Sequence, residues 1–482
     1  MSRERPPLPD GLVAFVKRDC PTCELVAPVL AQVAAQQGVT VYTQDDPAFP
    51  AGLSPEDDTS LERSWHWEIE SVPTLLRVRQ GAETARLEGW QRQEWEAFTG
   101  ASGLGPDLPD WRPGCGSLSV DPSLEAALRV RFSGSKLHAR RVEVASLEDE
   151  MEALFARGWT DGLPVVPPTE SRVLSMLEGT TRDPQEVVAV VAPDLVPCTV
   201  EKVAINAVLA GCKPEYLPVV LAAVEAVCTD AFNIHGVLAT TMGVGPIIVV
   251  NGPIRRALGM NSGINVLGQG NRANASIGRA LQLVIRNVGG GRPGEVDRAT
   301  YGNPGKLGFC FAEDEEASPW EPLSVSLGAA PGTNTVTVFA GEGPRNILDQ
   351  LAREPEPLCR SMAACLGSVH HPKIVMGMDC MLVVGPEHAR IFREAGWSRQ
   401  QVIERIRELT ARRGAELMRG ADEMAEGLPL PEEARDAMLP KFREGIPLLV
   451  HAGGGAGLFS AIIGGWLTGA EGSLPVVQEI AA

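Results

Sequence analysis

The sequence predicts an α/β chain in two parts: a small N-terminal domain built on a strand–dithiol–helix unit, and a much larger α/β domain behind it. Three observations carry this. Asp19-Cys20-Pro21-Thr22-Cys23 stands between an apolar run, Leu12–Val16, and a helical run that begins at Glu24. Val72-Pro73-Thr74 opens another strand further on. Beyond residue 121, apolar runs alternate with helical patterns, and the handover between them is repeatedly rich in glycine.

Composition bounds the class. At a soft prior of roughly 150 residues per domain, 482 residues suggest two to four domains. A hydrophobic content of 44% with 22% charged residues is that of a globular protein. The net charge of −18 disfavours nucleic acid and anionic membrane as partners. The N-terminal stretch has no apolar core of a signal peptide, and no run of about 18 apolar residues occurs. A cytoplasmic location is therefore expected, with the ten cysteines reduced.

In the first hundred residues the order is strand (12–16), dithiol, helix (from 24), strand (39–42), V-P-T strand (70–78), a turn at Gln80-Gly81, strand (84–87), then a helix from Gln91 to about Phe98. A cysteine at a helix start meets unpaired N–H groups and the positive dipole end, both of which favour its thiolate. Half of a zinc site is the alternative, but neither a second CxxC nor a suitable histidine pair lies nearby in the sequence. With these motifs in this order, residues 1–100 resemble the thioredoxin-like fold. The resemblance implies a redox-active Cys20–Cys23 disulfide, and a cis Pro73 beside it that presents backbone groups to the substrate. Two departures are visible: Asp19 replaces the family's tryptophan, and Pro-Thr replaces Gly-Pro between the cysteines. A carboxylate beside Cys20 is expected to raise its pKa.

Residues 101–120 are rich in glycine and proline and are expected to be a linker. Cys115 sits in this stretch between two glycines. It is either a shuttle thiol for Cys20–Cys23 or an incidental exposed cysteine.

Residues 121–482 form the large domain, with halves of about 121–325 and 326–482 if an internal duplication holds. Helical patterns fall at 147–157, 169–178, 200–211 and 215–228, and apolar runs at 187–191, 247–250, 336–339, 373–376, 381–384 and 447–450. Strand, glycine turn and helix are expected at Gly252-Pro253, Gly385-Pro386, Gly341–Pro344 and Gly453–Gly455. Such turns line one edge of an open sheet, where glycine admits close approach of an anion. Gly341, Gly343, Gly453 and Gly454 are therefore candidate binding residues. None of the turns completes a phosphate-binding fingerprint, so no nucleotide is named and no cofactor is identified beyond the redox-active disulfide.

Cys198, just before the helix at 200, is the leading reactive thiol, by the same helix-start argument. Cys310 stands three residues before Glu313, a spacing that suggests a thiol joined to a proton donor. His235 is the candidate acid or base, with Asn233 beside it. Asn271 and Arg272 stand in an asparagine- and glycine-rich loop suited to clamping a substrate. No metal site is assigned. This region is similar to bacterial domains of undetermined function fused to thioredoxin-like modules, which implies no activity.

The functional expectation is a redox module supplying electrons to a catalytic cysteine, Cys198 first, that acts on a small substrate. The partners would be a small-molecule or thiol substrate and a cellular thiol reductant, and a homo-oligomer is compatible with the sequence. One alternative is a thiol-based lyase for an organometal or a sulfur or selenium compound, because thiolates select soft partners. The other is a redox-sensing ligand-binding protein.

Overall fold

A computed structural model of the chain describes residues 5–132, 134, 137–142, 144 and 149–481. The chain forms two compact units, Met1–Lys136 and Leu137–Ala482.

In the first unit, β1 (Gly11–Val16) runs into α1 (Pro21–Gln37). Then follow β2 (Thr40–Thr43), β3 (Glu56–Asp57), α2 (Glu62–His66), β4 (Ser71–Val72), β5 (Thr74–Arg79), β6 (Ala82–Glu88), β7 (Trp90–Gln91) and α3 (Arg92–Thr99). The main sheet has the order β3-β2-β1-β5-β6. β1 lies at its centre, parallel to β2 and antiparallel to β5. Val13, Ala14, Phe15 and Val16 are all buried, which is why β1 reads as a continuous apolar run rather than an alternating one. The Val72–Pro73 bond is cis, as the resemblance implies.

Residues 101–120 are not a linker: they fold back as a strap on this unit. β8 (Trp111–Arg112) pairs with β7, and β9 (Cys115–Gly116) pairs with β4. The Trp90 indole N–H donates to the Pro109 carbonyl at 2.6 Å. Gln44 Nε2 donates to Ser117 Oγ at 2.6 Å, and Ser119 Oγ to the Ile69 carbonyl at 2.6 Å. Glycine serves close approach here rather than flexibility. A Cβ on Gly114 would lie 2.3 Å from Ser71 Oγ and 3.0 Å from the Val72 carbonyl oxygen.

The second unit is built on an eight-stranded sheet. Cys310–Ala312 runs parallel to Gly245–Asn251, which is antiparallel to Thr335–Gly341. The arrangement recurs: Leu448–His451 runs parallel to Met378–Val384, which is antiparallel to Phe459–Leu467. The two sets meet at the Gly341–Gly465 pair. Arg345–Leu348 and Val476–Glu479 add further strands. Thr335–Gly341 pairs with the first set, so an expected boundary at 325/326 cuts through that set. Both faces of the sheet are covered, and side-chain alternation divides them. Ile248 and Val250 enter a core with the helices Val200–Ala210, Leu217–Val227 and Arg272–Asn287. Ile247 and Val249 enter another with Pro355–Leu366, Pro386–Glu394 and Arg399–Thr410.

The remaining helical patterns appear as Glu150–Ala156, whose expected start at 147–148 lies outside the described residues, and Glu170–Leu177. Two of the four glycine turns lead into helices, at Ile254–Ala257 and Pro386–Glu394. The other two lead into strands, Arg345–Leu348 and Phe459–Leu467, which pair with each other. Residues 373–376 are not a strand. Lys373 is buried there, with its ammonium donating to the Met418 carbonyl at 3.2 Å.

Gly341 is a packing residue. A Cβ there would lie 2.6 Å from Ile247 Cδ1 and 2.8 Å from Ile463 Cγ2. Gly341→Ala is expected to cost about 1–3 kcal/mol by overpacking, read as a lowered calorimetric transition.

Candidate functional site

Cys20 is the N-cap of α1, and its sulfur accepts the Cys23 backbone N–H at 3.3 Å. The preceding turn is pinned by Asp45, whose carboxylate accepts the backbone N–H groups of Arg18 at 2.7 Å and Asp19 at 2.8 Å. Cys20 Sγ also lies 3.5 Å from the Val72 carbonyl oxygen, next to the cis Pro73. The strap brings a third thiol: the Cys20 and Cys115 sulfurs are hydrogen-bonded at 2.7 Å. Thr22 Oγ1 donates to the Pro113 carbonyl at 2.7 Å and so ties the strap to the first turn of α1.

These contacts separate the three thiols. The hydrogen bond with the Cys23 side chain lowers Cys20 most. Burial opposes it, the Cys115 bond and the Cys23 and Thr22 N–H groups assist, and the thiol comes down to about 5. Burial pushes Cys23 far up, and its hydrogen bond to Cys20 adds to this. Burial likewise raises Cys115, again helped by its bond to Cys20. The expected effect of Asp19 is not seen. Its carboxylate is exposed, and the hydrogen bonds at the helix start dominate. Cys20 is only 1% exposed and Cys23 0%, whereas Cys115 is half-buried. Sequence reading missed Asp45, Thr22 and Gly114, which position the site through contacts distant in sequence.

A five-stranded sheet with a cysteine pair at a helix start and a cis proline opposite defines a thioredoxin-fold dithiol module. Over 83 residues, 17% of this chain and 69% of the relative, the sequence is 31% identical to a thioredoxin-like protein of Synechocystis sp.. Over 78 residues, 16% of this chain and 63% of the relative, it is 30% identical to a thioredoxin of Mycolicibacterium smegmatis. The chain belongs to the thioredoxin-like family through its first unit, a thiol–disulfide redox module. No family model matches the chain. Among the described residues no helix is long and apolar enough to cross a membrane.

In the second unit the predicted residues do not assemble into a site. Cys198 is fully buried in the strand Val196–Thr199, and Thr199 caps the helix in its place. Burial first, then neighbouring Cys228, pushes the Cys198 thiol up to about 12, so desolvation outweighs the helix dipole. Cys310 is raised by burial too and packs into the core that holds the helices Val200–Ala210 and Arg272–Asn287, whereas the Glu313 carboxylate is taken up by Asn251, Leu323 and His451. The thiol–proton donor pairing is therefore absent.

His235 is exposed on a short helix, Ile234–Ala239. Asn233 caps that helix: its Oδ1 accepts from the Gly236 N–H at 2.9 Å, and its Nδ2 donates to the Gly472 carbonyl at 3.0 Å. Asn271 caps Arg272–Asn287 and donates to the Gly259 carbonyl at 2.8 Å. Arg272 donates to the Gly211 carbonyl at 2.9 Å. These groups order the backbone. Gly453 and Gly454 admit a loop rather than an anion. The Gly453 N–H donates to the Ser262 carbonyl at 2.9 Å, and a Cβ on Gly454 would lie 2.7 Å from Ile264 Cγ1.

Gly343 borders open space. It lines a cavity of about 460 Å³ together with Thr241, Thr300, Asn303, Glu342 and Arg345. Glu342 Oε2 lies 4.0 Å from His370 Nδ1, and His370 Nε2 is 2.7 Å from the Gly465 carbonyl oxygen. Burial lowers the pKa of His370, with Glu342 opposing.

Proposed function

We propose that the first unit is a thiol–disulfide oxidoreductase with Cys20 as its nucleophile. The Cys20 thiolate attacks a substrate disulfide and releases one thiolate. Cys23 then attacks Cys20 Sγ, releases the second substrate thiolate and passes it the proton. The substrate disulfide is reduced to one thiolate, which takes its proton from water, and one thiol; Cys20–Cys23 becomes a disulfide, and a cellular thiol reductant restores the dithiol. The observation that supports this reading is the hydrogen-bonded Cys20 sulfur at the start of α1, with its thiol held near 5. The test is release of thiolate from an aromatic disulfide by the reduced chain. Loss of that release in Cys20→Ser supports the reading, and unchanged release overturns it.

For the second unit we infer a small-molecule binding role rather than a thiol-dependent one. The supporting observation is the cavity at Gly343, which presents a carboxylate, an exposed guanidinium and hydroxyls together. A polar ligand carrying both charge signs fits that lining. Native mass spectrometry of the purified full chain is expected to show a co-purifying small molecule. Arg345→Ala and Glu342→Gln are expected to lose it. An identical spectrum for wild type and both variants ends this reading.

A further inference from the structure

We propose that Cys115 is a third redox thiol of the module: it forms a disulfide with Cys20, and that disulfide is where an external thiol enters. This rests on the redox reading of Cys20 above and goes beyond it in assigning the entry point.

The geometry is specific. The sulfurs are 2.7 Å apart, less than 1 Å beyond the ~2.05 Å of a disulfide bond. The contact is built rather than incidental. Cys115 lies in a strand paired with Ser71–Val72, the Thr22–Pro113 hydrogen bond fixes the strap on one side, and the Gln44–Ser117 bond fixes it on the other. Gly114 lets the strap backbone sit against Val72, where any side chain would collide. Of the three cysteines Cys115 is the most exposed, since Cys20 and Cys23 are 1% and 0% exposed and Cys115 is half-buried.

The chemistry follows. In the oxidising direction Cys20 carries a mixed disulfide with the substrate thiol. The Cys115 sulfur attacks Cys20 Sγ, the substrate leaves as a thiolate and takes up the Cys115 proton, and a Cys20–Cys115 disulfide remains. In the reducing direction an external thiolate attacks Cys115 Sγ and Cys20 leaves. A second external thiolate then attacks the external sulfur on Cys115, giving the external disulfide and free Cys115. Two electrons move in each direction. Low-pKa thiols leave fastest, so attack on Cys115 expels the better leaving group of the pair. Exchange of Cys23 onto Cys20 moves the disulfide to Cys20–Cys23 and frees Cys115.

The experiment treats the reduced full chain with oxidised glutathione and maps disulfides by peptide mass, with alkylation of all other cysteines. Cys23→Ser is expected to release two glutathiones per chain and to yield a Cys20–Cys115 crosslink. The Cys23→Ser/Cys115→Ser double variant is expected to release one and to stop as a Cys20–glutathione adduct. If Cys23→Ser itself stops at that adduct with Cys115 free, the role of Cys115 is overturned while Cys20 remains the nucleophile. If neither the wild type nor any variant forms an adduct or crosslink at Cys20, the redox reading itself fails.

Discussion

Cys20→Ser is expected to reduce thiol–disulfide exchange by the full chain at least ~10³-fold, because removing a nucleophile removes every step that follows it. Serine places a hydroxyl oxygen where the Cys20 sulfur accepts the Cys23 N–H, and serine is a favoured N-cap, so α1 is expected to stay folded. The pH profile separates loss of chemistry from loss of structure. With the Cys20 thiol near 5, alkylation of Cys20 by iodoacetamide rises through an inflection near that pH and is flat at neutrality. An ordinary thiol inflects near ~8.5. Cys115→Ala removes one of the bonds that hold Cys20 down, so it is expected to move the inflection upward.

The linked stability has a definite sign. The folded-state value is depressed from 9.0 to about 5. The stabilisation from Cys20 is therefore complete above pH 9, declines as pH falls, and is gone below about 5. In Cys20→Ser that slope disappears from the pH dependence of unfolding. An alkylation inflection near that of a free thiol in the wild type would refute the assignment.

Glu313→Ala is expected to destabilise the second unit by about 3–5 kcal/mol, since it strips a buried, hydrogen-bonded acid from its partners. Glu313 is 0% exposed. Its Oε2 accepts from Asn251 Nδ2 at 2.7 Å and from the Leu323 N–H at 2.8 Å, and its Oε1 from the His451 N–H at 3.5 Å. The Asp314 N–H donates to the His451 carbonyl at 2.8 Å. One acid therefore ties the end of Gly245–Asn251 to the ends of two strands remote in sequence, Cys310–Ala312 and Leu448–His451. Calorimetry of the full chain is expected to show a drop of at least ~5 °C in one transition. Glu313→Gln keeps the volume and one acceptor oxygen, so a much smaller drop is expected. Equal transitions in wild type and Glu313→Ala would show that the hub carries no stability.

The first unit was legible because its signals are local or are spaced along one sheet. The Leu12–Val16 run, the cysteine pair, the helix that follows and Val72-Pro73-Thr74 each sit in the elements expected of them. The strap was misread because glycine and proline mark turns without saying what the intervening backbone pairs with. Trp111–Arg112 and Cys115–Gly116 are strands only because Trp90–Gln91 and Ser71–Val72 are there to receive them. The same limit explains Phe459–Leu467. Read alone it follows a glycine turn like any helix, but Met378–Val384 and Arg345–Leu348 flank it and take up its backbone groups.

By itself the sequence determined the α/β class and the helix-start position of Cys20, because these rest on backbone periodicity and helix-end polarity within a few residues. Only the tertiary structure decided in which direction each thiol is shifted. Cys198 and Cys20 both precede a helix in the sequence, yet Cys198 ends up in a buried strand that drives it up to about 12, while hydrogen bonds at the N-cap bring Cys20 down to about 5. It also decided that Cys115, far along the chain, rests against Cys20. Desolvation and long-range contact depend on what the rest of the chain places around a group.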